Sequence, residues 1–202
     1  ANPLVKVTIV PRGRALGAAW YLPEERQIST REQMLDEMCA LLGGRAAEEL
    51  FTGHVSSGAM NDLERVTKQA YGMIAYMGMG EKLPNLCYYD SQEYSFQKPY
   101  SDHTAQLIDQ EVQTMIETQY ARAKQLLSEH SSGHAQLAQL LVDREVVFAE
   151  DVEHIFGPRP WVSRTEELLE EAQTDSTADD AEKSGQGEQE ENKNQKTEQE
   201  EA

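Results

Sequence analysis

Apolar residues recur at Met60, Leu63, Val66, Ala70, Met73, Ile74 and Met77, always three or four positions apart or adjacent. A period of 3.6 residues brings such positions onto one side of an α-helix, so the run predicts a helix with one buried stripe. Just ahead of it, Ser56 and Ser57 offer side-chain oxygens to the free N–H groups of a starting helix, and Gly58 lets the chain turn tightly. Asp62 falls in the first turns, beside the stripe, one position before Leu63 and four before Val66. The positive end of the helix dipole favours its ionised form there, and an ionised carboxylate at the rim of a core is a competent metal ligand. An acid in a first turn also serves simply to complement the dipole, and spacing alone leaves both readings open.

Upstream, Val5-Lys6-Val7-Thr8-Ile9-Val10 alternates and is β-branched, which predicts a strand ended by Pro11. A second strand is predicted over residues 15–22, closed by Pro23. Within it Gly17, Ala18 and Ala19, followed by Trp20 and Tyr21, leave one side nearly bare, which suits close approach of another backbone or an ordinary two-stranded ribbon. Ser29 and Glu32 have capping-box spacing ahead of the stripe Met34, Met38, Leu41 and Leu42. Gly43-Gly44 costs that helix roughly 1 kcal/mol per glycine, a cost consistent with close packing of another helix. Arg45 has the spacing of solvated ion pairs with Glu48 and Glu49.

Between Met77 and Ser101 the pattern breaks at Gly78, Gly80, Pro84 and Pro99, with Tyr88, Tyr89, Tyr94, Phe96 and Tyr100 interleaved. This predicts a loop whose aromatics cover the core or touch a ligand. Ser101 should cap a long helix through Ile108, Val112, Met115, Ile116, Ala123 and Leu127, stopping near Gly133. Shorter helices follow through Leu137 to Val142 and through Val152 to Phe156. His130 and His134 have metal-helix spacing, but they lack an intervening Glu and fall where the helix should stop, so no zinc role is assigned to them. The expected fold is mainly α, a helical bundle with a small N-terminal β-ribbon.

The chain carries a net charge of −18. Residues 163–202 hold fourteen acids and four bases, a net of −10, which leaves about −8 for the body. With almost no large apolar residue after Leu169, this segment cannot bury enough surface to order itself and is expected to be a disordered acidic tail after a folded unit over residues 1–162. An acidic body without a basic stripe argues against a nucleic-acid partner. Cys39 and Cys87 lack metal-type spacing and read as reduced thiols. No apolar run approaches the length of a membrane span.

Taken in order, Leu42-Gly43-Gly44-Arg45-Ala46-Ala47-Glu48-Glu49 and Ser56-Ser57-Gly58-Ala59-Met60-Asn61-Asp62-Leu63 resemble the protease domain of the FtsH-type membrane-bound, ATP-dependent zinc metalloproteases. The similarity runs from about Pro3 to Phe156. It implies a zinc-metallopeptidase type of bundle in which Asp62 is the third zinc ligand. The other two are histidines of an H-E-x-x-H helix, whose Glu is the general base. The chain contains no H-E-x-x-H, which the family carries a short distance upstream of the residues matching Asn2-Pro3-Leu4-Val5, so a C-terminal fragment is expected.

The resemblance further implies that Glu48 lies close enough to the metal to orient a ligand or tune its charge. It implies that the segment Gly17 to Tyr21 is an edge strand that pairs with an extended substrate. ATP and Mg2+ would bind only an AAA+ part, since no G-x-x-x-x-G-K-[ST] loop occurs here. The parent would be a homohexamer anchored in the bacterial inner membrane, its protease domain in the cytoplasm, degrading unfolded or membrane-extracted proteins. With one ligand and no general base, the chain by itself is expected to be inactive. The alternative is a non-catalytic acidic helical interaction or oligomerisation module.

Overall fold

The stripe of residues 60–77 is covered on two sides, and that packing organises the other elements. In order these are β1 (Leu4–Thr8), β2 (Ala18–Tyr21), α1 (Arg31–Ala47), α2 (Met60–Tyr71), α3 (Asp102–Glu129), α4 (Ser131–Arg144), β3 (Val146–Phe148) and α5 (Ala149–Phe156). The structure, a computed structural model, describes residues 3–13, 15–22, 28–88 and 99–158. The chain divides into two units, residues 1–21 with 25–157 and residues 22–24 with 158–202, and every element named here belongs to the first. The expected boundary after residue 162, the acidic tail, and the aromatics Tyr89, Tyr94 and Phe96 lie outside the described residues.

Helix α1 packs along α3, and α2 packs on both. Met38 and Leu42 of α1, Val66 and Ala70 of α2, and Ile108 of α3 are buried in one core with Met73 and Ile74. Full burial of each large side chain contributes about 1.5–3 kcal/mol, which is what holds a helix of only 12 residues that would be marginal alone. The ends of the stripe differ from expectation: Met60 is 68% and Met77 53% exposed. Met60 opens the helix, ahead of its covered part. Beyond Tyr71 the chain continues as a π turn, Gly72–Tyr76, with the Met77 N–H donating to the Gly72 carbonyl at 3.0 Å. The extra residue in that turn breaks the 3.6 period, so Met73, Ile74 and Ala75 are all buried and Met77 is rotated outward.

Helix α1 is capped one residue later than expected. The Thr30 hydroxyl accepts the Gln33 N–H at 3.3 Å, and the Gln33 side chain accepts the Thr30 N–H at 3.0 Å. Two overlapping capping boxes are written in this stretch, and the helix uses the second. Ser101 caps α3 as expected, accepting the Thr104 N–H at 3.3 Å. Tyr88 and Tyr100 meet edge to face at 5.1 Å and pack on the core, so these two loop aromatics serve as cover.

The N-terminal ribbon is part of a three-stranded antiparallel sheet of order β2-β1-β3. Val7 pairs with Ala19 on one side and Val147 on the other. The third strand was not expected from sequence. Its three residues are seated because Glu145, left-handed at φ 61°, ends α4 and turns its carbonyl toward both the Thr8 hydroxyl (2.8 Å) and the Ile9 N–H (3.1 Å). Strand β2 is at the edge, and Gly17 lies just before it.

The glycines exchange the roles expected of them. Among the described residues nothing lies within 4 Å of where a Cβ would stand at Gly43 or Gly44, so none of the described helices packs closely there. Gly133 does not end α3; it lies inside α4, where a Cβ would come within 2.4 Å of the Phe156 ring of α5. At Gly17 a Cβ would meet the Thr8 carbonyl oxygen at 2.7 Å, so the close backbone there is the chain's own β1. Urea unfolding of the 202-residue chain should therefore show Gly44→Ala stabilising by about 0.5–1 kcal/mol, through lower backbone entropy loss. Gly133→Ala should destabilise by about 1–3 kcal/mol through overpacking against Phe156.

Candidate metal centre

Helix α1 continues into a π turn, Glu48–Thr52, which Gly53 ends in the left-handed region at φ 72°. The Thr52 hydroxyl donates to the Glu48 carbonyl at 2.7 Å, and the Gly53 N–H to the Glu49 carbonyl at 3.2 Å. Three residues later Ser56 caps a short 3-10 turn, Ser57–Ala59, by accepting the Gly58 N–H at 3.1 Å. That turn feeds directly into α2. Ser57, expected to share the capping, lies inside the turn instead.

The loop is held by charged side chains of the α1 end. Glu48 accepts the Ser56 hydroxyl at 2.6 Å and the Ser56 N–H at 3.0 Å, while Arg45 donates to the Ser56 carbonyl at 2.6 Å. All three polar groups of Ser56 thus face Arg45 and Glu48. Gly58 leaves space for this arrangement: a Cβ there would lie 3.2 Å from the Ser56 hydroxyl and 3.8 Å from the Glu48 carboxylate. The two bonds from Ser56 hold the Glu48 carboxyl below its ordinary value of 4.5.

Asp62 is the third residue of α2, half-buried, and among the described residues its carboxylate has no hydrogen-bond or ion-pair partner. A carboxylate is an ordinary oxygen donor for zinc, so Asp62 fits such an ion as one ligand. It does not complete a site: among the described residues no three of His, Cys, Asp or Glu come together. His130 and His134 are occupied separately, the first edge to face with Phe156 at 6.1 Å and the second stacked on Phe51 at 4.3 Å. On β2, Ala18, Ala19 and Tyr21 are exposed, and Trp20 is half-buried with the Lys6 ammonium 4.8 Å from its ring centroid. A cavity of about 230 Å³ lies elsewhere, lined by Arg31 and Leu35 of α1, Glu81, Lys82 and several α3 residues; neither Asp62 nor Glu48 borders it.

Residues 1–155 match the family described as Peptidase family M41. The chain belongs to that family. It is 70% identical over 172 residues to the ATP-dependent zinc metalloprotease FtsH of Parabacteroides distasonis, a match covering 84% of this chain and 25% of the relative. The protein of the same name from Karelsulcia muelleri is 48% identical, covering 75% of this chain and 25% of its own length. The mouse mitochondrial inner membrane m-AAA protease component AFG3L1 is 43% identical, covering 84% and 22%. The M41 chain thus spans about a quarter of the length of the curated relatives it matches.

The spacing of Glu49 in the M41 chain predicts no more than a solvated pair with Arg45. Glu49 is instead bridged to α3: its carboxylate accepts the Tyr120 hydroxyl, and the Lys124 ammonium at 3.2 Å. Those bonds lower the Glu49 carboxyl, and burial together with the carboxylate pushes the Tyr120 phenol up to about 12. Glu111 of α3 was also missed. Buried, it accepts the Glu81 and Lys82 N–H groups at 2.6 and 2.7 Å on one oxygen, and its other oxygen has no partner among the described residues. Neither residue carries a local signal, because their partners lie 71 and about 30 positions away in sequence.

Because Glu48 is lowered in the folded state, its anchoring of Ser56 is fully present above its ordinary value of 4.5 and is lost as pH falls through the lowered native value. The stability difference between the M41 chain and its Glu48→Gln variant should therefore stay constant from pH 7 down to about 5 and shrink below that, as measured by urea unfolding at each pH.

Proposed function

We propose that this chain is the peptidase portion of an ATP-dependent zinc metalloendopeptidase that degrades unfolded or membrane-extracted proteins. The observation that carries the reading is Asp62, a half-buried carboxylate without a partner among the described residues, on a helix whose approach is fixed by Arg45, Glu48 and Ser56. Family membership supports the same reading. In it Asp62 supplies one zinc ligand, and two histidines of an H-E-x-x-H helix in the whole polypeptide supply the others. When bound, zinc supplies Lewis acidity toward the scissile carbonyl.

This chain's own residues contribute position. Glu48 and Arg45 fix Ser56, and the short turn behind Ser56 sets where α2 begins and hence where Asp62 stands. The exposed edge of β2, from Ala18 to Tyr21, offers backbone donors and acceptors to an extended peptide, with Gly17 keeping β2 close to β1. Pairing of that kind reads backbone and not side chains, which suits a broad substrate range. The relatives' names, an ATP-dependent zinc metalloprotease and a component of an inner-membrane protease, support ATP dependence and a place at a membrane. We take ATP and Mg2+ to bind a separate AAA+ part of the whole protein, which we take to be a membrane-anchored assembly. For the whole protein we take this to be a homohexamer in the bacterial inner membrane with this domain in the cytoplasm. Residues 1–162 are the peptidase part and residues 163–202 an acidic tail.

A chimera tests the reading directly, with this chain replacing the matching quarter of the Parabacteroides distasonis relative. It should bind zinc and degrade casein, while the 202-residue chain alone should do neither. Asp62→Asn in the chimera should weaken zinc binding by more than about 100-fold, beyond the loss that follows removal of an outer hydrogen bond. Unchanged zinc affinity and casein turnover in Asp62→Asn would sink the assignment and leave the non-catalytic interaction module as the reading.

A further inference from the structure

The π turn at Glu48–Thr52 places two adjacent carboxylates in two different networks. Glu48 reaches forward to Ser56 and so to the start of α2, whereas Glu49 reaches across to Tyr120 and Lys124 of α3. Lys124 also stands 4.7 Å from the Tyr120 ring centroid, so the three side chains support one another. Neighbouring residues of a regular α-helix diverge by about 100°, and a wider turn changes that divergence locally. Once Glu49 is fixed on α3, Glu48 has little freedom to move without breaking the clamp.

From this geometry we propose that Tyr120 and Lys124 are positioning residues for Asp62: by holding Glu49 they fix the π turn, and with it the Glu48–Ser56 contact that sets the ligand's place. The proposal rests on the reading of Asp62 as a zinc ligand. It adds that the position of α3 is transmitted to the metal site by the hydrogen bonds of Tyr120 and Lys124 to Glu49, by the backbone between Glu49 and Glu48, and by the hydrogen bonds of Ser56 to Glu48 and of Gly58 to Ser56.

Tyr120→Phe isolates the hydroxyl, because the ring and its packing over Lys124 remain. Tyr71→Phe is the matched control. It also removes a phenol-to-carboxylate bond to α3, the 2.6 Å contact of Tyr71 at the end of α2 with Asp109, but that phenol bonds neither to the Glu48–Thr52 turn nor to Ser56. In the 202-residue chain, amide exchange at Ser56 and Gly58 should rise at least about tenfold in Tyr120→Phe and stay unchanged in Tyr71→Phe, since these N–H groups are held by the Glu48–Ser56 contact. In the chimera, zinc affinity measured by competition with a chromogenic chelator should fall about 10–100-fold in Tyr120→Phe and remain within twofold in Tyr71→Phe. Lys124→Met, which removes the other donor, should weaken zinc binding in the same direction and serves where Tyr120→Phe fails to fold.

If Tyr120→Phe and Lys124→Met both leave zinc affinity within twofold while Asp62→Asn abolishes it, the positioning role is wrong and the ligand assignment stands. Equal losses in Tyr120→Phe and Tyr71→Phe would also overturn it, by reducing the effect to general stability. If Asp62→Asn leaves zinc affinity unchanged, both fall together.

Discussion

Burial of one face of α2 is the constraint on which the remaining structure depends. Val66, Ala70, Met73 and Ile74 are fully buried against Met38 and Leu42 of α1 and Ile108 of α3. A helix as short as α2 gains little from its own hydrogen bonds, because nucleation is costly and few bonds follow. Packing therefore determines that it exists and where it lies. That packing gives Asp62 its level beside the core, four residues ahead of Val66 and on the rim instead of inside it, while the start of the helix is left to the loop before it.

Apolar packing fixes the axis of α2 but cannot fix the polar loop that leads to it. Residues 53–58 are all exposed, so burial does not hold them, and the loop is held by the hydrogen bond that Arg45 donates to Ser56 and the two that Glu48 accepts from it. This division explains why a π turn follows α1 directly. A regular continuation would carry Glu48 and Glu49 on around the helix surface, while the wider turn lets one serve the loop and the other α3. The same device after α2 lets three consecutive residues, Met73 to Ala75, enter the core.

What was legible in the sequence is what depends on local periodicity and local chemistry. The α2 stripe, the Ser101 cap, the β1–β2 pair and the position of Asp62 at a helix start all follow from residues a few positions apart. Features set by distant partners were not legible. Strand β3 exists because Glu145 meets Thr8 across 137 positions, and a three-residue Val-Val-Phe run has no strand signal of its own. The π turns escaped for a related reason: a hydrophobic period continued past residue 72 places Met77 inside, and only the packed structure shows the inserted residue. Glycines misled most. A glycine is equally consistent with a helix end, a close contact or neither, and only the neighbours of Gly17, Gly44 and Gly133 separate these.

The two edges of the sheet differ in a way that bears on substrate pairing. Strand β3 is three residues long, follows a left-handed residue and runs straight into α5, so it offers little continuous edge. Strand β2 carries Ala18 and Ala19 exposed, with no proline or charge among its four residues, and the register shift of this pair falls opposite it in β1. Leu16, just before the strand, and Tyr21 at its end are 84% and 52% exposed. Proteins ordinarily protect such edges with charges, prolines or bulges because an unguarded edge recruits other strands. Among the described residues β2 has no strand on its outer side, and such an edge beside small side chains suits an added strand, so the proposed peptide pairing falls to β2 rather than β3.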